Sequence, residues 1–522
     1  MTAKHVNSMP VGKVYRTSAS LLSVIVVLVV ALSFRVYYIS QKASLEGDEL
    51  TSLTLAYNAT GWGDDAYAAD SVYTAQQLRQ SLYVDDRGGF RGYADDIASL
   101  WRDNRDGSHA SLYYMALRTA LIGQNVPDIR PVIIRASGLN LLFFVASFVA
   151  MLWLLRQLFP GRRYLTAVLL AAAYLNPAAI STTLLVREYQ LAEALMVAFT
   201  AATVALCMYA KSHGRIKTSH TVCVAISAAA LVSAGYFNAV YAVLLCVAAY
   251  AYCRRLLPLR AQLSFPAIIV VAVILCNVFY SGFFNFLSDD RTTDVATMLS
   301  GGNTWAHLYY GCTKCVKMMS LDVLGLPLTA LVAVLAIVSM WRGKKAEMPF
   351  ERVSVCVAIW FVLAMILAPW KLNRYVCAAV PILAACSVWW VCEISRPKHK
   401  TVAVFAVLLL VGNTLFADRV DYLNNESVDF PNDKCVVLYG KTPGDRNMLT
   451  LLIPHLSDGQ QCVVVSNIAD VGRFVDADTA SVFADAALPE LSNSPLLADS
   501  QPFNPWLRRY NILLLKTSTS ER

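Results

Sequence analysis

Charge is what this sequence has least of. Only 15% of its 522 residues are Asp, Glu, Lys or Arg, against about 25% in ordinary soluble domains. Hydrophobic residues make up 57%, and mean hydropathy is +0.49. The shortage excludes an ordinary soluble enzyme, and it excludes disorder, which requires low hydrophobicity and high charge. No Lys/Arg run tracks a phosphate backbone, so the net charge of +8 does not point to nucleic acid. No GxGxxG or GxxxxGKS loop follows a strand-like run, and there is no internal repeat or low-complexity segment. The 13 cysteines are mostly spent inside apolar runs (Cys207, Cys223, Cys246, Cys276, Cys356, Cys386) and read as small apolar residues. Cys312 and Cys315 form a lone CxxC. Without a second pair this is weak evidence for zinc, and a disulfide or no bond at all is favoured. Cys435 and Cys462, in the polar C-terminal part, leave the disulfide question open.

What is abundant is apolar sequence in membrane-sized lengths. About 20 mostly apolar residues cross the hydrocarbon as a helix. The stretches that fit are 19–39, 131–157, 164–185, 188–210, 220–235, 238–253, 263–282, 319–341, 351–369, 375–394 and 401–417, which makes eleven. Lys4, Lys13 and Arg16 precede the first of these. It runs to Ile39 without a small-residue cleavage site, so it reads as an uncleaved helix rather than a signal peptide.

Lysine and arginine placement orients the bundle. With the N-terminus (1–18) in the cytoplasm, the inside loops are 161–163, 211–217, Arg254-Arg255 with Arg260, 341–352 with Lys344 and Lys345, and 396–400, and every one is basic. Three polar regions then lie outside: the acid-rich loop 40–130 within the membrane domain 19–417, the loop 283–318, and the C-terminal segment 418–522. The segment 418–522 alternates strand-like runs (435–439, 462–465, 511–515) with helix-compatible stretches near 444–456 and 478–490, and reads as a small α/β domain. Segment 109–123 is apolar but short. Crossing would invert every later loop, so it reads as an amphipathic helix in the outer interface. The expected fold class is therefore mainly α, a polytopic bundle with extracytoplasmic additions.

Four groups of polar residues fall on that outer face. Glu46-Gly47-Asp48-Glu49 follows the first helix, and paired acids there suit proton abstraction or could hold a divalent cation, although no further ligand set is visible. His109, with Tyr113 and Tyr114, opens the interfacial helix. Arg187-Glu188-Tyr189 stands at the outer end of the fourth span. Pro369-Trp370-Lys371-Leu372-Asn373-Arg374-Tyr375 puts two cations in an outer turn, where the positive-inside rule would not have placed them. Arginine grips phosphate with forked hydrogen bonds and lysine attracts it as a point charge. The bland alternatives are solvated loop acids, interfacial aromatic anchors, and cations reaching for lipid headgroups. The convergence of all four at one face, which the orientation argument did not use, favours a site for transfer from a lipid phosphate.

Together these residues resemble the GT-C glycosyltransferases, specifically the family 39 type, which includes protein O-mannosyltransferases and the aminoarabinose transferases acting on lipid A. The resemblance is carried by the Asp-Glu pair, the His-x-x-Leu-Tyr-Tyr segment, the Arg-x-Tyr and the late Lys-x-x-Arg-Tyr turn. Where the family has two prolines after the histidine, this chain has Ala110 and Ser111. The resemblance implies a polyprenyl-phosphate sugar donor, a protein, lipid or polysaccharide acceptor, inversion in one displacement, and a bacterial inner membrane. It implies Asp48 as base with Glu49 beside it, and His109, Tyr113, Arg187, Tyr189, Lys371, Arg374 and Tyr375 as substrate-binding residues. The competing reading is a transporter or lipid flippase. It would call for ionisable residues near the bilayer midplane and paired halves, and the sequence displays few of the first and none of the second.

Overall fold

In lipid a backbone must satisfy its own hydrogen bonds, which leaves long apolar runs no alternative to the helix. The computed structural model describes residues 11–57, 70–82, 89–103, 105, 110–124, 129–288, 304–341, 349–368, 371–394, 399–424, 435–440, 452–457, 459–467, 470, 473, 480–485, 501–502 and 512–516. Among them six helices are long and apolar enough to cross a membrane, or eight if each of two bent pairs counts as one span. Three shorter apolar helices join them: Thr218–Ser233, Asn238–Cys253 and Thr401–Phe416. These elements occupy the eleven apolar stretches read from the sequence. The chain is a multi-pass membrane protein.

The order is α1 (Val11–Gln41), α2 (Gly47–Tyr57), β1 (Ser71–Thr74), α3 (Ala75–Leu82), α4 (Gly89–Arg102), α5 (Leu112–Ala120), α6 (Ile129–Leu158), α7 (Arg163–Tyr174), α8 (Pro177–Leu184), α9 (Tyr189–His213), α10 (Thr218–Ser233), α11 (Asn238–Cys253), α12 (Leu259–Gln262) and α13 (Ser264–Phe279). Helices Thr304–Lys317, Leu326–Trp341, Pro349–Leu367, Val380–Ile394 and His399–Phe416 follow.

Two helix breaks shape the bundle. The first lies between α7 and α8, bent by 57° at Asn176-Pro177. Proline cannot donate to the helix ladder. The Asn176 side chain caps Ala172 O and Ala173 O, and its Oδ1 accepts from Ala179 N–H. Tyr174 O goes to Arg35 of α1, whose fully buried guanidinium also donates to Ala31 O, Ala179 O and Thr183 Oγ1 and lies 3.8 Å from the Phe144 ring centroid. Glu193 of α9 is equally buried and accepts from Ser147 Oγ and Gln190 Nε2. The spans thus hold ionisable residues that the sequence reading passed over: Arg35 staples the broken helix, and Glu193 joins α9 to α6 through Ser147.

The second break changes an expected boundary. The helix from Thr304 runs through a π-helical turn, Met318–Val323, then turns by 116° before Leu326. The expected span 319–341 therefore begins at Leu326, and 319–323 belong to the preceding helix. Gly325 makes the corner with φ +76°, and a Cβ there would stand 2.9 Å from the Asn413 side chain.

The C-terminal segment, expected as α/β, contributes five strands to a small sheet, and its regular elements among the described residues are those strands and one 3-10 turn. Its sheet runs β1-β3-β2-β4-β6-β5, where β2 is Cys435–Tyr439, β3 Gln461–Val465, β4 Ala480–Asp485, β5 Gln501–Pro502 and β6 Ile512–Lys516. Strand β2 is parallel to both β3 and β4, while β1 and β6 flank these three antiparallel. The edge strand β1 comes from the first long loop, pairing Ser71 with Val464 and Thr74 with Gln461. Loop 40–130 and segment 418–522 thus contribute to one sheet. The stretch expected as helix near 478–490 contains β4 instead. Pairing on both sides and the buried Val482 and Phe483 override its helical composition. The other expected helix, near 444–456, falls mostly outside the described residues and ends in a 3-10 turn, Ile453–His455.

Segment 109–123 also departs from expectation. Helix α5 does not spread its aromatics over a lipid surface. Tyr113, Tyr114 and Leu117 are buried, and Arg118, also buried, pairs with Asp96 of α4 at 2.7 Å. The ion pair and the covering helix α4 draw the apolar face of α5 into protein. Cys312, Cys315 and Cys462 are free thiols, so no Cys312–Cys315 bridge forms.

Candidate functional site

Five residues separate α1 from α2, whose first turn carries the acid cluster. Negative charge is favoured at a helix N-terminus by the exposed N–H groups and the dipole. Glu46 acts as N-cap residue through its carbonyl, which accepts from Glu49 and Leu50 N–H. The Glu49 side chain reaches back to Glu46 N–H at 2.8 Å, which is half of a capping box.

Glu49 is otherwise fully occupied. Its carboxylate meets Lys42 Nζ at 3.0 Å and accepts Val186 N–H, from the turn between α8 and α9, at 2.8 Å. Neither Lys42 nor Glu49 has any exposed surface. Lys42 also donates to Tyr422 O at 2.7 Å, from the segment beyond the last helix. Tyr422 has φ +67°, left-handed and costly for a bulky residue. This knot ties together α1, α2, the α8–α9 turn and the start of the C-terminal segment.

Asp48 points the other way. Its side chain is 34% exposed and pairs with Arg374 NH2, while Arg374 NH1 pairs with Glu46 Oε1 at 3.0 Å. One guanidinium fork thus spans two carboxylates. Glu46 is nearly buried. Burial raises its carboxyl to about 7, with Glu49 and then Asp48 pushing the same way against Arg374 and Lys42. Arg187 donates to the Asp48 carbonyl at 3.0 Å and lies 3.2 Å from Glu188. The Tyr189 and Tyr375 rings stack edge-to-face at 6.4 Å, and Arg374 stands 5.7 Å from the Tyr375 ring centroid.

The expected residues therefore meet at one end of the bundle, with distinctions. Asp48, Arg187, Tyr189, Arg374 and Tyr375 form one cluster, and Glu49 lies beneath it. Tyr113 is buried and donates to Asn140 Oδ1 at 3.3 Å; burial and then Glu188 and Glu49 raise its phenol. Asn140 Nδ2 donates to Thr183 O and Leu185 O, which fixes the turn that carries Arg187. Lys371 spends two donors on Ile366 O and Ala368 O at the end of helix Pro349–Leu367, at 2.5 and 2.6 Å, and burial lowers its ammonium. His109, Pro369 and Trp370 lie outside the described residues.

Sequence reasoning missed Lys42, Asn140 and the part played by Glu46. Lys42 carried a signal: like Lys371, it is a cation at the expected outer end of a span. The acids fit a resident divalent ion poorly. The Glu49 oxygens are taken by an ammonium and two N–H groups, and a cation at Asp48 and Glu46 would have to displace Arg374. Among the described residues no three His, Cys, Asp or Glu side chains converge as ligands.

No protein-family model matches this chain, and no curated protein does. Among solved structures it is similar to a crystal structure of ArnT from Cupriavidus metallidurans bound to undecaprenyl phosphate, with 12% identity and a TM-score of 0.49, over 95% of this chain and 98% of that one. The apo crystal structure of the same ArnT aligns with 10% identity and a TM-score of 0.45, over 96% of this chain and 99% of that one.

Proposed function

We propose that this protein is a GT-C-type membrane glycosyltransferase of the bacterial inner membrane. It moves a sugar from a polyprenyl-phosphate carrier to an acceptor hydroxyl on the extracytoplasmic face. The sidedness rests on the basic loops: with the N-terminus taken as cytoplasmic, they fall on the inner side and the site end of the bundle faces outward. The observation that carries the reading is the arrangement around Arg374. A partly exposed carboxylate, Asp48, stands beside a cation at the edge of a membrane bundle. A base and a phosphate-binding cation are needed together there, while the polyprenyl tail stays in lipid.

In this reading Asp48 accepts the proton of the acceptor hydroxyl as its oxygen attacks the anomeric carbon. The bond from that carbon to the phosphate oxygen breaks, and the departing phosphate carries the electron pair. Arg374, with Arg187 behind it, stabilises that charge, and Lys371 is assigned to the phosphate as a point charge. Tyr189 and Tyr375 form the wall against which the sugar packs. Glu49 positions Asp48 rather than touching substrate, and Tyr113 positions Asn140. The resemblance assigns His109 to substrate binding.

The test is sugar transfer by purified protein supplied with polyprenyl-phosphate sugars. Asp48→Asn should cut transfer by about 10²–10⁴-fold, the usual worth of a general base, with membrane insertion intact. Undiminished transfer would remove Asp48 as base. A reporter fused after residue 418 should report the extracytoplasmic side, and a cytoplasmic signal would overturn the sidedness.

A further inference from the structure

Around Arg374 the charges do not balance. Glu46, Asp48 and Glu49 sit within one helical turn, and two cations pair with their carboxylates, Lys42 and Arg374, while Arg187 meets Asp48 at its carbonyl and pairs with Glu188. Lys42 is spent on Glu49 and on Tyr422 O, with no exposed surface left. Arg374 alone serves the other two acids. Of these, Asp48 reaches solvent, whereas the Glu46 side chain is 6% exposed. The groups facing Glu46 are Asp48 and Glu49 on α2, Lys42 at the end of α1, Arg374 on the 3-10 turn Asn373–Ala379, and Tyr422 beyond the last helix.

An anion that arrives at Arg374 must therefore compete with a carboxylate already seated there, and it adds negative charge to a cluster in which Glu46, Asp48, Glu49 and Glu188 already outnumber Lys42, Arg374 and Arg187. Two outcomes are physically open. Either the incoming anion is repelled, or one resident acid gives up its charge. Glu46 is built for the second. It is the most buried of the two acids on Arg374, and a proton costs it least.

We propose that Glu46 is a second functional carboxyl of this site: a resident anion that holds Arg374 until a phosphate-bearing lipid binds, and that takes a proton from solvent as the phosphate oxygens replace it on the guanidinium. This rests on the glycosyltransferase reading of the site and names how its donor half is loaded. No covalent bond changes; one proton moves to the Glu46 carboxylate, and one set of N–H donors changes partner. The carboxyl is already raised to about 7, so near neutral pH either state is within reach. Loading is then favoured below that pH and is opposed above it.

The experiment measures binding of undecaprenyl phosphate to the full detergent-purified chain between pH 6 and 8.5, for the wild type, Glu46→Gln and Arg374→Ala. The wild type should weaken as pH rises above 7, approaching about tenfold per pH unit for one linked proton. Second ionisation of the phosphate would act in the opposite direction, in the wild type and in Glu46→Gln alike. Glu46→Gln should flatten the profile and bind several-fold tighter than wild type at pH 8, and Arg374→Ala should bind poorly throughout. A pH slope unchanged by Glu46→Gln, or binding lost at every pH in that variant while it stays folded, overturns the proposal. Calorimetry of the wild type in two buffers of different ionisation enthalpy needs no variant. Uptake approaching one proton at pH 7.5–8 supports the proposal, and zero uptake overturns it. If folded wild type binds no undecaprenyl phosphate at any pH, the functional reading itself falls. If it binds with no proton uptake, only the role of Glu46 falls.

Discussion

Asp48 and Glu49 share a helical turn and a charge, yet the fold gives them different surroundings. Glu49 faces inward, where an ammonium and two backbone N–H groups take up its oxygens. Asp48 faces the mouth of the site, with one guanidinium and solvent. The contrast extends to their cations: Lys42 has no exposed surface, while Arg374 bridges two acids at the rim. A buried ion pair is a poor source of net stability, but it is costly to break. A half-open one can exchange partners. The inner pair is therefore suited to holding four chain segments together, and the outer one to handling a ligand.

The contrast breaks most visibly at Glu49. Glu49→Ala strands the Lys42 ammonium in a dry site and should cost about 3–5 kcal/mol, read as a fall in thermal midpoint of the detergent-solubilised protein. Lys42→Met with Glu49→Gln should recover part of that loss, because no charge is left uncompensated and the glutamine oxygen still accepts a backbone N–H. Asp48→Asn should leave the midpoint near wild type while removing transfer. Equal destabilisation by Asp48→Asn and Glu49→Ala would erase the division between the two halves.

Arg374→Lys keeps the charge and loses the fork that serves Glu46 and Asp48 together. We expect the KM for the lipid-linked donor to rise by about tenfold, or about 1.4 kcal/mol of binding, with a smaller change toward the acceptor. Equal losses on both sides would remove the phosphate role. Asn140→Leu acts one layer deeper. It deprives Thr183 O and Leu185 O of their donor, for about 1–3 kcal/mol, and loosens the turn that carries Arg187. Transfer should fall with it, and Asn140→Asp should not rescue, because a carboxylate cannot donate to those carbonyls.

The sequence made the membrane helices legible because lipid permits little else, and the lysine and arginine pattern brought distant motifs to one face. Asp48, Arg187 and Arg374 do meet there. What stayed hidden was the direction in which each side chain faces. Asp48 and Glu49 read as equivalent until Lys42 and Val186 close on one of them. Lys371 read as a free cation, but the end of its own preceding helix draws its ammonium to two carbonyls. Arg35 was lost inside an apolar run, because nothing local announces that a helix far along the chain will break and need a donor. The sheet was legible in three of its strands. The edge strand β1 was not, since pairing Ser71 with Val464 is set by tertiary contact alone.

The smallest expected effect lies where the sheet domain touches the site. His455 Nε2 lies 3.4 Å from Ser44 Oγ, two residues before Glu46, and burial lowers its imidazole to about 4. The fold favours the neutral ring, so stability from this group is complete above the unfolded value near 6.5 and is lost as pH falls toward 4. At pH 5.5 the loss should be about 1 kcal/mol. It should be visible as a lower midpoint, or as faster proteolysis of the C-terminal segment, than at pH 7.5, and His455→Gln should flatten that difference. If the contact also holds the 42–46 linker, His455→Gln should shift the pH profile of transfer only slightly, because Arg374 and not Ser44 bears on the charge of Glu46. A large shift would mean that the sheet domain belongs to the open half of the site rather than to its frame.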